Sequence, residues 1–243
     1  MKKTKMKVGL IIMSLITMIT MNACTKINRD TADEVCKALS EKYNKTFVAL
    51  KIGDRFNTDK AKLYLHPEGR EDLIFTAWID KESRQVEDTY IRRCVEMQVE
   101  DKLVAAAGAT AKDCGFSAVL MCDDTSEETD ANISLAAFAE KYSVTGIVVY
   151  VPVRAGAANE ATLKGVVSAM ESLHHELGAD VSVLLYAIDD GGFESCVSDM
   201  KQNPNLTSTW FDTYGVKRTG VFSVKADGIT PQLGDVICAF VGD

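Results

Sequence analysis

The sequence lacks most of the motifs on which enzymes depend. It has no phosphate-binding loop of the G-x4-G-K-[ST] type, no G-x-G-x-x-G fingerprint and no G-x-S-x-G nucleophile elbow. Histidine occurs only at positions 66, 174 and 175, and an H-E-x-x-H motif starting at His175 would need a second histidine where Ala179 stands. A serine-histidine triad would have to recruit one of these few histidines. The sequence therefore favours a protein that is not an enzyme and that carries no cofactor.

Proline and positive charge are also scarce. The chain has 4 prolines and 27 lysines and arginines against 35 acidic residues, so its formal charge is −8. Hydrophobic residues make up 47% and charged residues 26%, which is the ordinary globular mixture. This composition excludes a disordered chain, a collagen-like chain and a multi-span membrane protein. The negative charge gives no support for binding to nucleic acid.

The N-terminus has the pattern of a secretory signal. Residues 1–7 contain four lysines and no acid, and the 18 residues that follow, 8–25, carry no charge. The sequence Met21-Asn22-Ala23-Cys24 resembles the lipobox of bacterial lipoproteins, although Met21 stands where leucine is usual. The resemblance implies that residues 1–23 are a signal peptide and that Cys24 receives the lipid and becomes the mature N-terminus.

The alternative interpretation is an uncleaved transmembrane anchor. A membrane span needs about 20 apolar residues, and the uncharged run is interrupted by Ser14, Thr17, Thr20 and Asn22. We therefore expect a protein attached to the cell membrane by acyl chains such as palmitate, on the extracytoplasmic face. Removing residues 1–23 changes the formal charge from −8 to −12, which disfavours electrostatic adhesion to anionic lipid or nucleic acid.

Six cysteines remain outside the signal, and none lie in the close pairs that a zinc site needs. An extracytoplasmic location permits disulfides between them. Cys36 and Cys94 are the predicted pair, because both fall on predicted helices beside the same small sheet. Free buried thiols are the alternative, since several of these cysteines have apolar neighbours. The six are Cys36, Cys94, Cys114, Cys122, Cys196 and Cys238.

The first half reads as an α+β unit. A capping-box pattern at residues 31–34 predicts a helix to about Tyr43, and a second helix is predicted from Arg84 to Ala107, ended by Gly108. Between them lie three short strands, which predict an antiparallel meander. The result is an α-β-β-β-α unit in a lobe spanning 24–110. The predicted strands are 46–52, 62–66 and 73–79.

The second half alternates strands with helices and predicts βαβ crossovers with local parallel pairing. It forms a predicted α/β lobe over 111–243, so the whole chain belongs to the α+β class with a βαβ-containing α/β half. Predicted strands are 116–122, 146–151, 181–188, 220–224 and 235–241, and predicted helices are 133–142, 159–177 and from 189–192 to about Met200.

Three segments of the first half carry a resemblance to a known group of proteins. These are EKYNKTFVALKIGD, LYLHPEGREDLIFTAWID and EDTYI, within residues 31–95. They resemble small lipoproteins of Gram-positive, clostridia-type gut bacteria, a group with no assigned activity. The resemblance implies a surface lipoprotein and implies nothing about its chemistry.

Charged residues follow three predicted strands of the second half. Asp123 and Asp124 follow the first, Arg154 the second, and Asp189 and Asp190 the third. Ligands of open parallel sheets bind beyond the carboxyl ends of the strands, so four carboxylates would face one arginine if these strands are neighbours. Such a group suits a divalent cation or acid–base catalysis, with Arg154 as a ligand-binding residue. The alternative is that each aspartate caps the next helix or turn.

An aromatic cluster lies in a threonine-rich stretch, at Trp210, Phe211 and Tyr214. If exposed, it would stack on a sugar or contact a partner, and if packed inward it is core, which the sequence favours.

Two functions follow from the whole sequence. The first is a lipid-anchored extracytoplasmic protein with a binding or envelope-associated role, its protein or small-molecule partner unidentified. The alternative is a metal-dependent envelope hydrolase that uses the loop carboxylates.

Overall fold

The computed structural model describes residues 29–52 and 59–241. The described residues form two compact units, of which the first extends to Gly69 and includes Ala77–Glu87, whereas the second contains Arg70–Thr76 and the chain from Asp88 onward. The predicted signal peptide and Cys24 lie outside the described residues. Within the described part, no helix has both the length and the apolar character needed to cross a bilayer. The predicted mixed α+β class is confirmed.

The first sheet is antiparallel and has four strands in the order β1-β2-β3-β4, one more than predicted. A helix over 29–43, α1, precedes it, and its residues Val35, Leu39 and Tyr43 are buried at helical spacing. β1 is an edge strand that pairs with β2, and a bulge interrupts the pairing between Ala49 and Lys51. The strands are β1 (Phe47–Ile52), β2 (Lys60–Pro67), β3 (Phe75–Asp80) and β4 (Val86–Asp88).

The second predicted helix starts later than expected. Asp80 accepts a hydrogen bond from the backbone N–H of Ser83 at 2.7 Å, and Arg84 adopts a left-handed φ of 61°. These residues therefore form a turn, which is followed by the short strand β4. The helix, α2, spans Tyr90–Ala107 and ends at Gly108, as predicted. The predicted start at Arg84 is wrong because turn chemistry replaces the first helical turn there.

The second sheet is mixed, with its five strands in the order β5-β6-β7-β8-β9. β6 and β7 are parallel and are joined by α4, which confirms the predicted βαβ crossover. The other pairs, including β5 with β6, are antiparallel. The elements are β5 (Ser117–Met121), α3 (Leu135–Lys141), β6 (Gly146–Arg154), α4 (Glu160–Leu177), β7 (Asp180–Ile188), α5 (Asp190–Lys201), β8 (Val216–Lys225), β9 (Gly228–Thr230) and α6 (Leu233–Val241).

Helix α2 belongs to the second unit rather than the first. It packs against β5 and α4, and its residues Val95, Val99 and Leu103 are fully buried. The predicted lobe bounds of 24–110 and 111–243 stay a prediction, but α2 falls in the unit that contains the chain from Asp88 onward. The reason is that the apolar face of α2 finds its partners in the second sheet, and a sequence does not show which sheet a helix will cover.

The last predicted strand, 235–241, is a helix. In α6 the buried residues are Val236 and Phe240, which are four apart and share one helical face. The backbone carbonyl of Gln232 accepts hydrogen bonds from the first turn. The run is rich in β-branched and aromatic residues, and apolar periodicity alone does not distinguish a strand from a helix at this length.

Candidate functional site

The five predicted site residues lie at two opposite edges of the second sheet. These edges are the ones formed by the ends of the strands, not the outer strands β5 and β9. Because β6 and β7 are parallel, Arg154, Asp189 and Asp190 leave the sheet at the same edge. β5 runs antiparallel to β6, so Asp123 and Asp124, which follow β5, lie at the other edge. The nine residues of β6 span roughly 26 Å between these edges. The predicted convergence of four carboxylates on one arginine is therefore not formed.

Arg154 is held by two acidic side chains. Its Nε lies 3.3 Å from Asp113 Oδ1, and its Nη2 donates a hydrogen bond to Glu194 Oε1. The guanidinium carbon also lies 4.4 Å from the centre of the Phe193 ring, within cation–π range. A ligand would have to compete with both carboxylates for this arginine, and its ligand-binding role stays a prediction.

Asp189 and Asp190 organise the start of α5. Asp189 Oδ1 accepts a hydrogen bond from Gly191 N at 3.1 Å, while Oδ2 pairs with Lys217 Nζ at 2.7 Å. The hydrogen bond from Lys217 lowers the pKa of Asp189. Asp190 Oδ1 accepts from the backbone of Gly156, in the turn after β6, at 3.0 Å. The capping alternative from the sequence is the one that the geometry supports.

A metal site at Asp123, Asp124, Asp189 and Asp190 does not fit these positions. Within residues 29–52 and 59–241, no three histidine, cysteine, aspartate or glutamate side chains are grouped so that they could hold a metal ion. Asp124 accepts hydrogen bonds from the backbone and the hydroxyl of Ser126, both at 2.9 Å, and so stabilises its own loop. The observation on which the hydrolase alternative depended is therefore missing.

The acidic loop after β5 contains a buried carboxylate that the sequence analysis missed. Glu128 accepts hydrogen bonds from Lys141 Nζ at 2.6 Å and Tyr142 Oη at 2.9 Å. It also accepts from the backbone N–H groups of Thr129 and Asp130, each at 2.9 Å. The hydrogen bond from Lys141, followed by that from Asp130, lowers the pKa of Glu128 to about 2. Glu128 therefore links the loop to the C-terminal end of α3 by hydrogen bonds.

We expect Glu128→Gln to destabilise the protein by about 2 kcal/mol at pH 7. A lowered pKa in the folded state contributes stability above the unfolded value of 4.5, and this contribution is lost as pH falls toward 2. The difference between variant and parent in urea unfolding should therefore shrink as the pH is lowered. Glu127→Gln, at the exposed neighbouring position, is the matched control. A Glu128→Gln loss that is the same at every pH would contradict this account.

The aromatic cluster near residue 210 is mostly core. Phe211 is fully buried and stacks on Tyr186 with ring centres 4.0 Å apart. Trp210 contacts Phe211 edge-on at 4.9 Å and is half-buried. Tyr214 donates a hydrogen bond from its hydroxyl to Asp199 Oδ2 at 2.8 Å. Phe211 thus packs against Tyr150 of β6 and Tyr186 of β7, as the inward-packed alternative predicts.

Two glutamates of α2 accept hydrogen bonds from backbone N–H groups on the unpaired side of β5. β5 is an edge strand, so part of its backbone has no strand partner on one side. Glu100 Oε1 accepts a hydrogen bond from Ala118 N at 3.0 Å, and Glu96 Oε1 accepts from Leu120 N at 3.1 Å. One helical turn separates the two glutamates, which nearly matches the spacing of alternate strand residues. The helix thus replaces a neighbouring strand at this edge.

Arginine balances this buried negative charge. Arg93 donates to both carboxylate oxygens of Glu100, at 2.7 and 3.1 Å, and its Nη1 lies 3.7 Å from Glu96 Oε2. All three side chains are at most 13% exposed. Burial raises the pKa of Glu96 to about 7. We call Arg93, Glu96 and Glu100 the α2 charge cluster.

A groove in the first unit lies between α1 and the edge strand β1. Its volume is about 530 Å³, and its walls are one face of the first two turns of α1 and the whole of β1. Two apolar side chains of β1 are unusually exposed: Val48 at 40% and Leu50 at 50%. Residues lining the groove, here named the α1–β1 groove, include Arg29, Asp33, Cys36, Leu50, Lys51 and Ile52.

No disulfide links the six cysteines of residues 29–52 and 59–241, so the predicted Cys36–Cys94 bond is not present in the structure. Cys114 and Cys196 are buried, and burial raises the pKa of each thiol to about 12. Cys238 is the exposed one.

One solved structure shares this fold. It is a DUF5037 family protein from Ruminococcus gnavus ATCC 29149, with a TM-score of 0.61 and 14% sequence identity. The match covers 87% of this chain and 99% of the other. No protein-family model matches the sequence, and no curated protein matches it either. At this identity the likeness concerns the fold alone, and the neighbour comes from a gut clostridium, the kind of organism named by the sequence resemblance.

Proposed function

We propose that this protein is an extracytoplasmic lipoprotein, anchored through Cys24, with a binding or envelope-associated role. The observation that carries the proposal is the N-terminal pattern, in which four lysines precede an uncharged run that ends in Met21-Asn22-Ala23-Cys24. Acyl chains on one cysteine attach a protein stably when two or more are present, without a spanning helix.

The position of the first helix supports the anchoring. The described part of α1 starts at Arg29, five residues after Cys24, and the first buried side chain of the described chain is Val35. Signal cleavage before Cys24 would therefore leave all of the described residues in the mature chain. The α1–β1 groove supports a binding role, since its volume of about 530 Å³ lies in the range typical of ligand sites.

Intact-mass spectrometry of membrane fractions from an expressing bacterium tests the anchor. The parent protein should have lost residues 1–23 and gained the mass of a diacylglyceryl group, and Cys24→Ala should retain the leader and carry no lipid. Cys238→Ala is the matched control, because it removes an exposed thiol elsewhere in the chain and should leave processing unchanged. A parent protein that keeps its leader without lipid would overturn the proposal.

A further inference from the structure

The α1–β1 groove includes Arg29, the described residue nearest in sequence to the proposed anchor at Cys24. Four residues, 25–28, separate Cys24 from Arg29, which begins the described part of α1 and lines the groove. A chain of this length extends over at most about 18 Å between the two α-carbons. Arg29, at one end of the groove, therefore lies within that distance of the lipid-bearing residue.

The charge and the exposed apolar side chains of the groove fit a lipid surface. The charged residues that line it are Arg29, Asp33 and Lys51, so its local charge is +1, whereas the mature chain without residues 1–23 carries −12. Beside these charges stand the exposed apolar side chains of Val48 and Leu50. Apolar side chains next to basic residues are the composition of surfaces that lie in a membrane interface.

Strand addition by a peptide or a second copy fits less well. β1 is an edge strand, but the bulge between Ala49 and Lys51 breaks the regular spacing of its edge. Helix α1 also lies beside this strand, since the groove between them is lined by Cys36 of α1 and by the whole of β1. Both features are ways in which proteins protect an edge strand from pairing with another chain.

We infer that the α1–β1 groove is a bilayer-contacting surface of the anchored protein. Leu50 and Val48 enter the headgroup boundary, where apolar side chains leave water. Arg29 and Lys51 reach lipid phosphates, as long basic side chains do at an interface. The inference rests on the anchoring proposed above, and it identifies the bilayer that holds the lipid as the partner of this groove.

Tryptophan quenching tests this contact on the lipidated, full-length mature protein in phosphatidylcholine–phosphatidylglycerol vesicles. Leu50→Trp places a reporter in the groove, and brominated lipids quench tryptophans that reach the headgroup boundary. The matched control is Glu41→Trp, an exposed position on α1 about 18 Å from Arg29 along the helix axis. The emission of the unsubstituted protein, with its two tryptophans, is subtracted from each.

We expect roughly twofold quenching of the Leu50→Trp emission and little change for Glu41→Trp. Equal quenching of both reporters, or none of either, in vesicles whose protein carries the lipid would overturn the inference and leave the anchor intact. Protein without lipid on Cys24 would instead refute the proposed function. Thermal unfolding of both variants should match the parent, because both positions are exposed; a lower Tm for Leu50→Trp would show that Leu50 packs inward and would count against the contact.

Discussion

Replacing Arg93 with methionine should destabilise the protein by about 3 to 5 kcal/mol, the largest loss that we expect from any single substitution considered above. Arg93 holds both oxygens of Glu100 and lies beside Glu96, and all three side chains are largely buried. Methionine fills a similar volume but leaves the buried Glu100 without its two-hydrogen-bond partner and leaves Glu96 with Arg92, 3.7 Å away, as its remaining counter-charge. The corresponding fall in Tm is about 10 °C for a protein of this size.

The pH dependence distinguishes lost charge from lost packing. Burial already raises the pKa of Glu96 to about 7, so this carboxyl favours folding below the unfolded value of 4.5 and ceases to do so as pH rises through 7. Removing Arg93 should raise the pKa further. The variant should therefore lose more stability at pH 8 than at pH 5, as measured by urea unfolding at both values.

The matched control for Arg93→Met is Arg70→Met. Arg70 also forms a two-hydrogen-bond pair, with Asp72 at 2.9 and 3.0 Å, but both side chains are about half exposed. Exposed pairs contribute about 0 to 1 kcal/mol. If both variants lost the same small amount, the α2 charge cluster would not be a buried network.

The second large effect concerns the start of α5, where two adjacent glycines should respond in opposite directions. A β-carbon on Gly192 would lie 2.5 Å from the backbone carbonyl oxygen of Tyr214, so the backbone there would have to move. We expect Gly192→Ala to cost about 3 kcal/mol through this overpacking. The same substitution at Gly191 brings its β-carbon no closer than 3.6 Å to any atom, that atom being Asp189 Oδ1.

Gly191→Ala should be neutral or stabilising by up to about 1 kcal/mol, because alanine favours the helix over glycine. Thermal unfolding of the two variants measures the difference directly. Helix propensity alone predicts that both raise Tm. A rise for Gly192→Ala would mean that α5 and the segment before β8 are not packed as closely as described.

Local patterns in the sequence predicted most elements of the second unit. The sequence predicted α4 over 159–177, where the structure has it with Asn159 as its N-cap, and Asp189 caps α5 as the capping alternative predicts. These predictions succeed because caps and periodic stripes act within a few residues of each other. The predicted helix start at Arg84 is wrong because a turn forms there. The predicted strand at 235–241 is wrong because a short apolar run fits a helix as well as a strand.

The predicted grouping of carboxylates around Arg154 is wrong for a different reason. Asp123 and Arg154 both follow buried strands, and the sequence of a buried strand is the same whichever direction it runs in the sheet. Only the pairing of β5 with β6 decided that the two residues lie at opposite edges. Glu96, Glu100 and Glu128 read as ordinary surface charges on a helix and a loop, and their burial depends on partners far away in the chain.

The sequence by itself determined the signal-peptide pattern at the N-terminus, the position of Cys24 at the end of that pattern, and the order of most helices and strands. Each of these depends on neighbouring residues, whose spacing is visible in one dimension. The tertiary structure alone decided which strands run antiparallel, which helix covers which sheet, and which carboxylates are buried. Those outcomes depend on contacts between residues distant in the chain, and the free energy of such contacts is settled only when the chain packs.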